Sequence, residues 1–237
     1  DFEYYDDLIL GLGFNSYYED IETDSTASSQ QQKLKGSYFD NFISLSLDYD
    51  KRNQKFQTTQ GFRNYFSTDL PIVSETNTLA NTFITTNYYE YFNNYILKSS
   101  FYFKNSNSIT GENIKLSERL TLPSNRLRGF ERGKIGPKDG NDFIGGNYYA
   151  ILNITSTLPQ VFPNAQNVDF VSFLDLANLW GVDDKNLDDG SELRSTIGLG
   201  VEWFTPVGPL SFSLAAPISK SSTDKTETFR FNLGTTF

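Results

Sequence analysis

The sequence predicts an all-β protein and, among all-β folds, a transmembrane antiparallel β-barrel. Three observations carry that expectation. Apolar and polar residues alternate with a period of two over eleven separate segments. The 237 residues include 21 Phe and 14 Tyr but no Met, Cys or His, a mix that favours strands over helices. The connections alternate between short turns and long polar loops, as the two rims of a bacterial outer-membrane barrel do.

The segments follow in chain order. In 8–14, Leu8, Leu10, Leu12 and Phe14 share one face; in 43–49, Ile43, Leu45, Leu47 and Tyr49 oppose Phe42, Ser44, Ser46 and Asp48. Segment 56–66 sets Phe56, Phe62 and Phe66 against Gln57, Thr59 and Arg63, and 80–92 alternates weakly. In 95–104, Tyr95, Leu97, Phe101 and Phe103 oppose Lys98, Ser100 and Lys104. In 114–122, Ile114, Leu116, Leu120 and Leu122 oppose Lys115, Ser117 and Arg119. Segment 148–158 sets Tyr148, Ala150, Leu152, Ile154 and Leu158 against Asn153, Thr155 and Thr157. Segment 168–180 is apolar on both faces except at Asp169, Ser172, Asp175 and Asn178. In 193–204, Leu193, Ile197, Leu199, Val201 and Trp203 oppose Arg194, Thr196, Gly198, Gly200 and Glu202, and 210–216 alternates Leu, Phe and Leu with Ser. The last, 227–237, puts Phe229, Phe231, Leu233 and Phe237 on one face. The expectation is eleven strands and no helix.

Between them, T-P-V-G-P (205–209) and P-Q-V-F-P-N (159–164) are short, whereas 19–36 and 182–191 are long and polar. A soluble β-sandwich also alternates, but its outer face should carry more charge than these Ser, Thr, Asn and Gly runs. No stretch nears the roughly 18 apolar residues of a membrane helix. A barrel needs none, since its strands average out to mild hydrophilicity. Single-chain bacterial barrels have even strand numbers, and an unpaired edge is costly in lipid. Eleven strands are therefore expected to be the later part of a longer barrel, cut at the N-terminus and ending naturally on an aromatic-ended strand. The first residues show neither the basic nor the apolar region of a signal peptide.

Composition also closes off chemistry. Without Cys there is no disulfide or thiolate metal site, and without His the usual general base of a lipase or protease is missing. No enzyme, cofactor or metal site is expected. The net charge of −9 argues against nucleic acid as a partner. G-L-G-F-N-S (11–16) lacks P-loop spacing. Asp183, Asp184, Asp188 and Asp189 fit no EF-hand and read as a solvated loop. The anomaly is 126–140, where Arg126, Arg128, Arg132, Lys134 and Lys138 stand among four glycines with one Glu at 131. Either this is a solvated loop, or it is a basic insertion into an acidic cavity.

Six ordered motifs in the last 110 or so residues carry a resemblance: L-R-G-F (127–130), I-G-P-K (135–138), G-G-N (145–147), F-L-D-L-A-N-L-W (173–180), W-F-T-P-V-G-P-L-S-F-S-L-A-A-P (203–217) and F-R-F-N-L-G-T-T-F (229–237). Together they resemble the C-terminal barrel of the BamA family, central to the β-barrel assembly machinery of Gram-negative outer membranes; residues 1–125 resemble its middle strands loosely. The resemblance implies a sixteen-stranded barrel of which these eleven are the sixth to sixteenth. Residues 1–237 would be the C-terminal part of one barrel domain, its POTRA domains and first strands absent and a loop at about 123–146 folded into the lumen. It implies that Arg128, with Gly129 and Phe130, forms the tip of that loop and pairs with the wall at Asp175. A second wall position, usually Glu, falls on Thr155, which cannot make an ion pair, so Arg128 should depend more on Asp175 or another acid.

At the C-terminal strand the resemblance implies a lateral gate, weakened where Gly234 lets the strand kink. Phe229, Phe231 and Phe237 match the aromatic-ended signal of outer-membrane proteins generally. The implied function is a non-enzymatic insertase of the bacterial outer membrane. Its partners would be unfolded β-barrel proteins, periplasmic-side assembly lipoproteins and outer-membrane lipid. The alternatives are a related two-partner secretion or TamA-type translocation channel, and a passive porin whose basic loop selects anions.

Overall fold

A computed structural model describes residues 5–75, 77–92, 95–158, 167–184, 186–206 and 208–234. The chain runs through β1 (Leu8–Ile21), a short helix α1 (Ser29–Lys33), β2 (Gly36–Asp50), β3 (Gly61–Ser74), β4 (Thr78–Phe92) and β5 (Tyr95–Ser108). A long connection holds the two-residue strands β6 (Lys138–Asp139) and β7 (Asp142–Phe143), which pair only with each other. Then come β8 (Tyr148–Leu158), β9 (Val168–Trp180), β10 (Arg194–Thr205), β11 (Gly208–Ser219) and β12 (Phe229–Leu233). Apart from β6 and β7, the strands form one ten-stranded antiparallel sheet in chain order, with β1 and β12 at its edges.

Alternation decides the two faces, because successive side chains of a strand point to opposite sides. One face is apolar and open: Leu12 is 79% exposed and Leu199 60%. Cross-strand pairs such as Leu12 with Leu45, Phe83 with Phe103 and Phe212 with Phe231 line it. The other face carries Ser, Thr, Gly and buried charges such as Asp40 and Asp175. A soluble sheet would be arranged the other way; apolar outside and polar inside suits a barrel wall in lipid.

Ten of the eleven expected strands are present in the sheet. Segment 114–122 is not a strand: it holds a 3-10 turn at Leu116–Glu118, and Ile114, Lys115, Leu120 and Leu122 are all buried. Its alternation has another cause. Lys115 of the polar set bonds to Asp40 of the wall and Arg119 to Asp183 of a loop, while Leu120 and Leu122 of the apolar set pack against wall residues, so the period of two here does not separate two faces of a strand. The sheet is thus even-numbered, and the whole connection 109–147 lies between β5 and β8. Segment 56–66 becomes a strand only from Gly61, because residues 51–60 form the β2–β3 connection. The helix α1 was not expected either; Ser28 caps it by accepting from the Gln31 N–H at 3.5 Å. The turn expected at 159–164 and the terminal Phe237 lie outside the described residues.

Candidate functional site

The 109–147 connection lies against the inner face and is held at several points. Near its start the Lys115 ammonium is fully buried, 2.5 Å from Glu19 of β1 and 3.7 Å from Glu118, and hydrogen-bonded to Asp40 of β2. The rings of Tyr17 and Tyr38 lie 5.5 and 5.0 Å from its nitrogen. Burial works against the charge, but the hydrogen bonds to Asp40 and Glu19 outweigh it and hold the pKa above the usual lysine range, so the group stays cationic. Four residues on, Arg119 donates to Asp183 at 2.6 Å, and Asp183 also accepts from the Ile114 N–H (3.0 Å) and from Asn147 Nδ2 (2.8 Å). Burial lowers the Arg119 pKa, and the charge of Asp183 opposes that shift.

The loop then turns toward the far strands through a small apolar core. Leu120, Leu122, Leu127, Phe130 and Ile135 cluster with Tyr102, Ile151, Ala177 and Leu179 of the wall. Beside this core, Arg128 Nε and Nη2 each donate to one oxygen of Asp175, both at 2.7 Å. The Arg128 backbone N–H adds a bond of 3.2 Å, so one carboxylate receives the side chain and the main chain of one residue. The guanidinium lies 3.3 Å from the Phe173 ring centroid. Phe173 has its place because Gly198 on β10 carries no side chain; a Cβ there would lie 2.3 Å from the ring. Asn153 of β8, in register with Asp175, donates to it at 2.8 Å and to the Arg126 carbonyl at 2.7 Å. A buried carboxylate with these partners is fully engaged, whereas unpaired it would be costly.

Gly129 needs to be glycine on two counts. Its φ is +88°, and a Cβ would come within 3.1 Å of Ala215 on β11 and 3.3 Å of the Thr196 hydroxyl on β10. From the last strand, Arg230 donates to the Phe130 carbonyl and, at 3.4 Å, to that of Leu127, with Glu227 on its Nε at 2.5 Å. The β11–β12 connection also pairs with the loop backbone: Glu227 N–H to Gly129 O (3.1 Å), Glu131 N–H to Lys225 O (2.9 Å) and Lys225 N–H to Lys134 O (3.0 Å). That connection is pinned in turn by a buried ion pair, Arg194 Nε to Asp224 at 2.9 Å.

The residues singled out in the sequence are distributed unevenly around this site. Arg128, Gly129, Phe130 and Asp175 meet. Among the described residues Thr155 makes no hydrogen bond to Arg128: it sits opposite Phe173 on the same face of β8, and both it and Arg128 border a polar depression with Lys98 and Glu202. The wall position beside the pair is Asn153, two residues earlier; counting along a strand keeps the face but not the register. Of the five basic residues in 126–140, only Arg128 meets a wall carboxylate among the described residues; Arg126 stacks 4.2 Å from the Tyr102 ring, and Arg132 and Lys134 are exposed. Asp183 and Asp184 are loop anchors rather than solvated charges, since Gln30 of α1 donates to Asp184 at 2.7 Å. Phe229 and Phe231 point to the apolar side, 57% and 49% exposed, and Gly234 follows β12 with φ +120°. Lys115 and Arg230 had no signal as site residues, because each finds its partners roughly a hundred positions away.

Comparison with known proteins places these features. The Omp85 superfamily domain model matches residues 2–237. The outer membrane protein assembly factor BamA of Neorickettsia risticii is 25% identical over 239 residues, covering 98% of this chain and 32% of that protein. BamA of Neisseria meningitidis serogroup B is 32% identical over 143 residues, 47% of this chain and 17% of that protein. The crystal structure of BamA from Haemophilus ducreyi lacking POTRA domains 1–3 superposes with a TM-score of 0.82 at 23% identity, over 94% of this chain and 50% of that one. The likeness in structure shows the fold, an antiparallel β-barrel. The chain spans about a third of the Neorickettsia protein and less of the Neisseria one.

Proposed function

The chain belongs to the Omp85 superfamily, and we propose that it is the later part of the barrel of an outer-membrane assembly factor, one that folds and inserts β-barrel proteins without covalent chemistry. Its setting is the bacterial outer membrane. The observation that carries this reading is the Arg128–Asp175 pair: a loop threaded along the inner wall ends in a bidentate ion pair on β9, which stiffens the side of the barrel next to its last strand.

On this reading β12 is the working edge. Among the described residues it pairs with β11 from Leu210–Leu233 to Leu214–Phe229, and backbone bonds from Gly234 N–H to Pro209 O (3.0 Å) and from Ala215 N–H to Thr228 O (2.9 Å) continue that pairing at both ends. A strand edge left partly unpaired templates another strand, and in lipid each backbone group must find a partner as it enters. Substrate hairpins added one after another at the β12 edge meet that requirement at every step. Unfolded barrel proteins are the proposed substrates, and periplasmic-side assembly lipoproteins and lipid the proposed partners; no nucleic acid is involved.

The test is Arg128→Ala in the full-length protein reconstituted into lipid vesicles with an unfolded barrel substrate. An insertase loses substrate assembly, measured as the protease-resistant folded fraction. A passive porin changes only conductance and ion selectivity, and that outcome overturns the reading. A translocation channel would deliver protease-protected substrate to the vesicle lumen with none in the bilayer.

A further inference from the structure

We propose that Arg230 is a latch: its guanidinium fastens the last strand to the R-G-F loop, and β12 can leave its closed position only after that fastening breaks. The inference rests on reading β12 as the working edge and adds what holds that edge shut.

Arg230 sits on the inner face of β12, 8% exposed, directly across from Ser213 of β11. Its two terminal nitrogens donate to the carbonyls of Leu127 and Phe130, the residues on either side of Arg128 and Gly129. Its Nε is held by Glu227, which aims the fork at the loop. Only a guanidinium reaches two carbonyls and a carboxylate from one planar group; an ammonium on the same stem would have to choose. The two residues between those carbonyls touch the preceding strands: Arg128 binds Asp175 of β9, and Gly129 packs on Thr196 of β10 and Ala215 of β11. One motif thus bears on each of the last four strands, and its bond to the last is made from the strand's own side chain.

Among the described residues β12 pairs with β11 from Phe229 to Leu233, and Arg230 adds a tie from that ladder to the loop beneath it. Hydrogen bonds to a charged donor are stronger than neutral ones, so this tie adds appreciably to what fixes the strand. Outward motion of β12 pulls on the Leu127 and Phe130 carbonyls, and through them on the Arg128 site. Loop and edge therefore move as one unit.

Hydrogen exchange in the full-length protein in lipid vesicles tests this. Arg230→Gln should speed exchange of the 229–233 amides about tenfold or more, by loss of a charge-assisted bond, with the β10 amides unchanged; Arg230→Lys should fall between Gln and wild type. A cysteine pair, Glu131→Cys with Lys225→Cys, sits where the loop and the β11–β12 connection already share a backbone hydrogen bond, close enough for a disulfide. These 237 residues hold no native cysteine to compete; oxidation of the pair should restore protection to Arg230→Gln, and reduction should remove it. Unchanged exchange in Arg230→Gln overturns the latch, as does a β10 that loosens equally, which would mean general destabilisation. If exchange responds but substrate assembly proceeds at the same rate with the staple open or closed, the latch stands and the reading of β12 as the insertion edge fails.

Discussion

Two residues inside the barrel, Arg128 and Gly129, show how much one position can carry. A methyl group at Gly129 would crowd Ala215 at 3.1 Å in a backbone conformation that β-carbon residues avoid. Gly129→Ala is therefore expected to cost about 1–3 kcal/mol, read as a lower urea midpoint for unfolding from lipid vesicles; Gly133→Ala, with nothing within 4 Å, is the control for φ alone. A different residue sets a pH response on the long-loop rim. Asp139 accepts from the Gln30 backbone N–H at 2.9 Å and from the Ser29 hydroxyl at 3.1 Å, and the backbone bond foremost holds its pKa below the usual carboxylate value. A carboxylate whose folded pKa is depressed stabilises above its unfolded value, and that contribution is lost as pH falls through the folded pKa. A spin label at Ala27 should become mobile below about pH 4, as the 22–35 connection lets go of the β6–β7 hairpin. In Asp139→Asn the label should be mobile at neutral pH and indifferent to acidification.

At the scale of the element, the 109–147 connection behaves as a strut with an anchor at each end. Lys115 ties it to β1 and β2, and Arg128 to β9. Replacing Lys115 with Met leaves Asp40 buried beside Glu19 and Glu118, with the Ser74 hydroxyl as its side-chain donor among the described residues. Removing one partner of a buried ion pair typically costs about 3–5 kcal/mol. The expected consequence is local: the entry limb detaches, and trypsin cuts at Arg119, which is 8% exposed in the intact protein. Arg128→Ala should leave that site protected while freeing the loop tip. The segment 114–122 shows why period two alone predicts a strand in this strut. Its leucines and isoleucine alternate with polar residues as the wall strands do, but Ile114, Leu120 and Leu122 are buried inside instead of facing lipid, and alternation reports which side is apolar without saying what covers it.

For the whole molecule, the decisive property is an inverted surface, apolar outside and polar within. Leu199, at mid-strand on the apolar face, should resist charge: Leu199→Lys is expected to cost about 2–4 kcal/mol if it lies near the bilayer midplane and to lower folding yield in vesicles, scored by heat-modifiable gel mobility. Ser211→Lys on the inner face of β11 should fold normally, because water and polar neighbours meet the charge there.

The amino-acid sequence by itself determined the strands, their faces and the family. Period two is a local property of the backbone, and the motifs L-R-G-F, I-G-P-K and F-R-F-N-L-G are contiguous. Only the tertiary structure decided the register that puts Asn153, not Thr155, beside Asp175, the descent of 114–122 from wall to strut, and the meeting of Lys115 with Glu19 and of Arg230 with Phe130. The reason is physical. A strand's face is fixed by its neighbours one and two residues away, whereas a buried charge is satisfied by whichever group the closed fold brings within about 3 Å, and across a barrel that group lies a hundred residues along the chain.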